Sequence, residues 1–275
     1  MNNNQGQLVK YFAQINLPAA DSHKGQNGKL LVIGGSKLFH SSIFWAADVA
    51  SRIVDMVHFT SPANENNELV RRQIKQGFWT GIVVDWSDVE EYLTEDDAVL
   101  IGPGMERSAE TKKTIDQLLS KFPDHKWVVD GGALQMVDPK LLSDQMIITP
   151  HHHELQMIMT NYGFATDQQT LDQLQNQQVT VLLKGVVDQV YANGEMIEVS
   201  GGNQGMTKGG TGDVLAGLVA ALYCKHSASV ASVVGSYVNK KAGEALWQTV
   251  GPYFNAGDLV TQVPRTLWEV MLRSR

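Results

Sequence analysis

The stretch GNQGMTKGGTGDVLAG, residues 202–217, places a cluster of glycines before a single carboxylate, Asp213, and an apolar run. A helix that begins near residue 211 would present unpaired backbone N–H groups and a partial positive charge at its first turn. Glycines at 209, 210 and 212 would let a phosphate approach that backbone without interference from side chains. These residues could therefore bind an anion beside an acid that accepts a proton.

Two common nucleotide motifs do not fit this stretch. Lys208 precedes the glycines, whereas the lysine of a Walker A loop follows them, and Leu215 stands where a dinucleotide fingerprint has its third glycine. Spacing alone leaves two interpretations, a phosphate-binding loop or a glycine-rich turn that caps a buried helix. An acid directly after the glycines favours the functional interpretation. Lys208 could add positive charge beside a phosphate or lie in solvent.

Seven short apolar runs along the chain predict buried strands that each end in a turn. Most of them are continuously apolar, as expected for parallel strands covered on both faces. They are KLLVIGG (29–35), MVHFTSP (56–62), GIVVD (81–85), AVLIGPG (98–104), KWVVDGG (126–132), MIITPH (146–151) and VTVLLKG (179–185). Amphipathic segments such as SSIFWAADVASRIV separate several strands, and the chain after about residue 211 is predicted to be helical. This alternation predicts an α/β fold with a central, mostly parallel β-sheet flanked by helices on both faces.

The turns after these strands carry glycines and polar residues. Ligands of parallel α/β sheets bind beyond the carboxyl ends of the strands. We therefore expect one cleft, formed by the loops 34–36, 102–104, 130–132, 150–154 and 184–185. No linker interrupts the pattern, so the sequence predicts a single domain over residues 1–275.

The composition argues against several classes of function. Lysine and arginine number 22 against 29 aspartates and glutamates, a net charge of −7 with no long basic run, which disfavours nucleic-acid and anionic-membrane partners. The one cysteine, Cys224, lies in the apolar run VLAGLVAALYC, so a buried thiol without an intramolecular disulfide is expected. That run is shorter than the roughly 20 residues of a membrane span. The N-terminus carries no signal-peptide pattern, and we expect a cytoplasmic protein.

Several segments together resemble one known family. NQGMTKGGTGDVLAG resembles the GGxGD signature of the ribokinase-like superfamily, and its GNxGM lead-in resembles that of the NAD(P)H-hydrate dehydratases, which repair hydrated nicotinamide cofactors. The resemblance runs from NGKLLVIGGS to NAGDLV through GGSKLFHSS, IGPGM, VVDGGAL, ITPHHHE and LLKG, in that order. It implies a ribokinase-like fold and the dehydration of hydrated NADH or NADPH with ADP or ATP as phosphate donor.

The resemblance also implies a role for individual residues. Asp213 would be the catalytic base that faces the substrate, and Mg²⁺ would bridge the phosphates of the nucleotide rather than occupy a protein metal site. The residues implied in nucleotide binding are Lys184, Gly185, Gly209, Gly210, Thr211 and Gly212. Those implied in contacts with the hydrated dinucleotide are Ser42, Gly104, His151 and Asp213.

Five residues depart from the family pattern: Glu106, Gly132, His152, His153 and Asp188. Glu106 and Asp188 would place acids near phosphate-binding groups, so the preference for substrate or nucleotide could differ. A zinc site in HHHE, residues 151–154, is disfavoured because adjacent side chains point in different directions. Asp130 could line the cleft or cap a turn, and Lys184 could instead cover the sheet edge.

Two other functions remain open at this point. One is a kinase of the same superfamily that phosphorylates a thiazole or pyrimidine alcohol, and the other is a non-catalytic module that binds nucleotide and regulates a partner. The resemblance implies a homo-oligomer, commonly a tetramer, for which Trp247 and Trp268 could supply apolar contacts. About two dozen residues precede the first predicted strand, so we expect no N-terminal epimerase domain and a separate epimerase chain.

Overall fold

The apolar runs form the strands of one sheet in the computed structural model, which describes residues 3–75 and 81–273. The seven predicted strands are β1 (Lys29–Ile33), β2 (Met56–Thr60), β3 (Ile82–Val83), β4 (Ala98–Ile101), β5 (Trp127–Val129), β6 (Met146–Ile148) and β7 (Thr180–Leu183). Neighbouring strands pair in parallel in the order β3-β2-β1-β4-β5-β6-β7. The expected parallel sheet is confirmed.

Two further strands extend the sheet beyond β7, and the sequence reasoning missed both. β8 (Asp188–Ala192) and β9 (Glu195–Val199) form an antiparallel hairpin, and β8 pairs antiparallel with β7. Asn193 and Gly194 connect them with φ angles of 54° and 76°, the positive values that a type I′ turn requires. An Asn-Gly pair between alternating apolar positions is a hairpin signal, so the sequence did contain the information.

Helices cover both faces of the sheet, as predicted. The helices are α1 (Asn3–Phe12), α2 (Ser41–Ala50), α3 (Asn64–Lys75), α4 (Val89–Glu95), α5 (Ala109–Lys121), α6 (Gly131–Met136), α7 (His152–Tyr162), α8 (Asp167–Asn176), α9 (Thr211–Tyr223), α10 (Ala228–Val250) and α11 (Ala256–Arg273). Helices α2, α9, α10 and α11 pack on one face, whereas α4 to α8 cover the other.

The alternation of side chains along each strand divides the core into two layers. In β1, Leu30 and Val32 face the α9 side, while Leu31 and Ile33 face the α5 side, and all four are fully buried. Continuous apolar strands are needed because both faces are covered. Cys224 is buried at the end of α9, as expected, and burial raises the pKa of its thiol. Among the described helices, none is both long and apolar enough to span a membrane.

Candidate active site

The loops that follow β1, β4, β5, β6 and β7 meet at the carboxyl edge of the sheet. Backbone hydrogen bonds hold them together: Gly35 N donates to Pro103 O over 2.7 Å, and Lys184 N donates to Pro150 O over 2.7 Å. Parallel strands bring all of these loops to one edge. The predicted cleft is therefore present at this edge, and the N-terminus of α9 adjoins it.

The two glycines directly before α9 differ in the space around them. Gly210 is the N-cap of α9 at φ +94°, and a Cβ there would lie 2.7 Å from the Ala256 Cβ and 2.9 Å from the Trp45 Cδ1. Gly209 has no heavy atom within 4 Å of its Cβ position. Because the N-cap is a glycine, the first N–H groups of α9 lack a side-chain cap and can bind an anion.

Two side chains near this turn support the loop by donating hydrogen bonds to backbone carbonyl oxygens. The Thr211 hydroxyl lies 2.6 Å from the Met206 carbonyl oxygen and 2.9 Å from that of Lys208, so its proton points back into the loop. The Lys208 ammonium donates to the carbonyl oxygens of Pro252 and Phe254. Lys208 therefore ties the turn to the segment before α11, a role that neither expectation for it included.

Three carboxylates surround the ammonium of Lys184, which follows β7. Its Nζ lies 2.9 Å from Asp130 Oδ1 and 3.8 Å from Glu154 Oε2. Burial disfavours the charged ammonium, but the attraction to Asp130 and Glu154 outweighs burial and raises the pKa of Lys184. Thr149 donates to the same Asp130 oxygen over 2.7 Å. Asp130 is buried and pairs with Lys184, and although it is the N-cap residue of α6 its side chain makes no capping hydrogen bond.

Asp213, in the first turn of α9, is the third of these carboxylates. Burial and the nearby charge of Asp130 raise its pKa to about 6, although Lys184 and a hydrogen bond with Ser42 act in the opposite direction. A carboxylate with a pKa close to neutrality can both take up and release a proton at physiological pH. The position therefore suits a general base.

Among the residues implied in substrate contacts, Ser42 forms a hydrogen bond with Asp213. Ser42 is on α2, and a Cβ on Gly104 would lie 2.7 Å from Phe39 O and 3.2 Å from the Ser42 Cβ, so the close approach requires glycine. His151 is the N-cap of α7, where its Nδ1 accepts from Glu154 N over 3.1 Å. His151 N in turn donates to Glu154 Oε2 over 2.9 Å. This capping box fixes Glu154 beside Lys184.

The HHHE segment is the start of a helix. His152 and His153 lie exposed in its first turn. Across residues 3–75 and 81–273, no group of three His, Cys, Asp or Glu side chains is arranged to hold a metal ion.

A cavity of 480 Å³ adjoins the α9 turn and has the size of a small-ligand site. Lys184, Gly185, Thr211 and Gly212, four of the residues implied in nucleotide binding, line it. Its wall also includes Asn203, which accepts from Gly205 N and donates to Gly243 O, and thereby holds the GNxGM loop. Asn239 lines the cavity too, and its Oδ1 has no hydrogen-bond partner among the described residues.

Both backbone polar groups of Gly185 are used within the protein. Its N–H donates to Asp188 Oδ1 over 2.9 Å, and its carbonyl accepts from the Lys240 ammonium over 3.0 Å. Asp188 Oδ2 accepts from the Ser236 hydroxyl, and Oδ1 lies 3.1 Å from Lys240 Nζ. The charge of Asp188 is therefore balanced by Lys240, a residue that the sequence reasoning missed. The signal was a lysine pair, NKK, directly after the mostly apolar first half of α10.

The remaining departures from the family pattern also have a structural setting. Glu106 is exposed to solvent. A Cβ on Gly132 would lie only 2.0 Å from Met105 O, so this backbone cannot hold the aspartate that the family often has there.

The chain matches a family model described as NAD(P)H-hydrate dehydratase over residues 30–265. It is 32% identical to the bifunctional NAD(P)H-hydrate repair enzyme of Methanocaldococcus jannaschii, a match that covers 90% of this chain and 50% of that relative. It is 26% identical to the ADP-dependent (S)-NAD(P)H-hydrate dehydratase of Enterococcus faecalis, with 84% of this chain and 81% of the relative covered. The chain thus spans about half the length of the bifunctional relatives that it matches.

A solved structure of another protein has the same fold as this chain. The ADP/ATP-dependent NAD(P)H-hydrate dehydratase of Bacillus subtilis, co-crystallised with ATP and Mg²⁺, superposes with a TM-score of 0.76 at 20% identity. The superposition covers 96% of this chain and 97% of that one. The expected ribokinase-like architecture is confirmed. With the family model matching most of its length, this chain belongs to the NAD(P)H-hydrate dehydratase family.

Proposed function

We propose that this protein dehydrates hydrated NADH or NADPH back to the reduced dinucleotide, with ADP or ATP as phosphate donor. The observation that carries the proposal is the position of Asp213. This carboxylate has a pKa of about 6, accepts a hydrogen bond from Ser42, and stands in the first turn of α9 next to the glycine turn. A proton acceptor and an anion-binding helix N-terminus therefore meet at one point.

The first step is transfer of the terminal phosphoryl group to the substrate. Asp213 accepts the proton of the hydroxyl on the hydrated nicotinamide ring while the hydroxyl oxygen attacks the terminal phosphorus of the nucleotide. The bond from that phosphorus to the bridging oxygen breaks, and the shortened nucleotide leaves with the electron pair. The first N–H groups of α9 and the Lys184 ammonium stabilise the negative charge on the phosphoryl oxygens.

The second step is loss of phosphate from the ring. The lone pair of the ring nitrogen expels the phosphate together with the former hydroxyl oxygen. The released phosphate then accepts a proton from the adjacent ring carbon, and the ring double bond of NADH or NADPH is restored. The net reaction consumes one phosphoanhydride bond and releases inorganic phosphate.

Magnesium would enter with the nucleotide. Oxygen atoms are the ligands that Mg²⁺ prefers, and substrate phosphates supply them. Among the described residues, the carboxylates of this cleft are not arranged as a metal site, and Asp130 and Glu154 are paired with Lys184. When bound, the ion would reduce the negative charge of the phosphates.

The test is recovery of the reduced nicotinamide absorbance from chemically hydrated NADH and NADPH, with Mg²⁺ and either ADP or ATP. We expect recovery that requires nucleotide and is lost by orders of magnitude in Asp213→Asn. Glu110→Gln is the matched control, because Glu110 also lies in the first turn of a helix, α5, but is exposed. The two nucleotides, tested separately, identify the donor.

Other results would support the alternative functions. A stable phosphorylated alcohol from a thiazole or pyrimidine substrate would indicate a kinase. Nucleotide binding that Asp213→Asn leaves unchanged, without turnover of any substrate, would indicate a regulatory module.

The proposal includes the cellular setting and the assembly. We place the protein in the cytoplasm as a homo-oligomer. Trp268 and Leu272 on α11 are 49% and 55% exposed and supply apolar surface for a contact between copies. Light scattering of the purified protein determines the number of copies.

A further inference from the structure

The ammonium of Lys240 lies in a cage of oxygen atoms. Its Nζ is 3.0 Å from the carbonyl oxygen of Gly185, 3.1 Å from that of Val186 and 3.4 Å from that of Gly201. Asp188 Oδ1 is 3.1 Å away. Lys240 is only 6% exposed, so these four oxygens take the place of water around the charge.

The cage joins two loops that line the 480 Å³ cavity. Gly185 and Val186 follow β7, and Gly201 follows β9; all three line the cavity. Gly201 has a φ of +126°, which side chains rarely adopt, and its carbonyl points to Lys240. Asp188 completes the connection because its carboxylate also accepts from Gly185 N. One buried cation thus holds both walls of the cavity.

Three carbonyl oxygens and one carboxylate are the donor set of a monovalent cation site. Potassium channels use such ligands, since backbone carbonyls there replace the hydration shell of the ion. We propose that this cage is a monovalent cation site whose cation is built into the chain as the Lys240 ammonium, and that Lys240 positions the two loops for nucleotide binding. The part that concerns nucleotide rests on the proposed function, whereas the cage itself does not.

The residue at position 188 supports this assignment. Asp188, one of the departures from the family pattern, places a carboxylate in the cage. A buried carboxylate is costly without a cation partner, and Lys240 supplies that partner. Loss of Lys240 would leave four inward-facing oxygens and one uncompensated charge, which is a vacant site for a potassium ion.

The experiment compares Lys240→Ala with the wild type in potassium chloride and in tetramethylammonium chloride, whose cation is too large for the cage. Melting temperature and ADP affinity by calorimetry are the two readouts. We expect Lys240→Ala to melt higher in potassium and to bind ADP about tenfold more tightly there, because the loops then hold their competent arrangement more often. The wild type should be the same in both salts.

Lys240→Met is the matched control, because its side chain fills the space of the lysine stem without the charge. It should bind ADP about tenfold more weakly than the wild type in both salts, and it tests positioning if Lys240→Ala does not fold. If Lys240→Ala has the same melting temperature and the same ADP affinity in the two salts, or is unfolded in both, the cation site is overturned. Wild-type ADP affinity in Lys240→Met would overturn the positioning role. If the wild type binds no ADP, the proposed function fails. The melting temperatures of Lys240→Ala in the two salts then still test the cation site.

Discussion

Replacement of Asp213 by asparagine should increase the free energy of unfolding at neutral pH but leave it unchanged near pH 4. The pKa of this carboxyl is about 6 in the folded protein against an ordinary value of 3.8. The folded state therefore holds the proton more tightly than the unfolded state. Between these two pKa values the folded state binds more protons, so its stability falls as the pH rises from about 4 to about 6. Asparagine does not ionise and avoids this cost.

The pKa difference sets the size of the effect. At 1.36 kcal/mol for each pKa unit, the ionised Asp213 costs up to about 3 kcal/mol above pH 6 and almost nothing near pH 4. In a chain of this size, that gain corresponds to roughly 5 to 10 °C in melting temperature. Asparagine keeps an oxygen that can accept from Ser42, so the substitution preserves this hydrogen bond.

The assay is urea unfolding of the wild type and Asp213→Asn at about pH 4 and about pH 8. The difference between the two proteins should be near zero at the lower pH and should favour the variant at the higher one. Glu110→Gln should change stability equally little at both. If Asp213→Asn is less stable than the wild type at about pH 8, or if it is more stable by the same amount at both pH values, the raised pKa of the buried Asp213 carboxyl is refuted.

Three further predictions concern the same cleft. The value of kcat/KM should fall as the pH drops below about 6, because Asp213 must be ionised to accept a proton; a flat acid limb would contradict this. Lys184→Met should raise the pKa of Asp213, since Lys184 lowers it, and a pH profile of residual activity should show an acid limb shifted to higher pH rather than an unmoved one. Gly210→Ala should weaken nucleotide binding and lower the melting temperature because its Cβ meets Trp45, whereas Gly209→Ala should leave the melting temperature unchanged; equal melting temperatures would argue against a tight turn.

The positions of the seven parallel strands and of the cleft could be predicted because they depend on local patterns, whereas the order of the strands in the sheet was not predicted. Continuous apolar runs indicate strands covered on both faces, and parallel strands place their following turns at one edge. The Asn193-Gly194 hairpin was missed although its signal is local, because attention to continuous apolar runs overlooks strands with alternating exposure, such as β8 and β9.

The charge network could not be predicted from the sequence. Asp130, Glu154 and Lys184 come from three different segments, and their contact depends on the alignment of β5, β6 and β7. The pairing of Asp188 with Lys240 joins residues 52 positions apart across a packed interface of α10 and β8. Tertiary packing determines such contacts, and the spacing of residues along the sequence does not predict them.

The central claim is that the ring hydroxyl oxygen attacks phosphorus and leaves as part of phosphate. The most direct measurement uses hydrated NADH that carries heavy oxygen in its hydroxyl, with unlabelled water and nucleotide, followed by mass spectrometry of the released phosphate. Our account predicts one heavy oxygen in the phosphate for each NADH formed. Heavy oxygen found in water, with unlabelled phosphate, would contradict phosphoryl transfer to the substrate and the role assigned to Asp213.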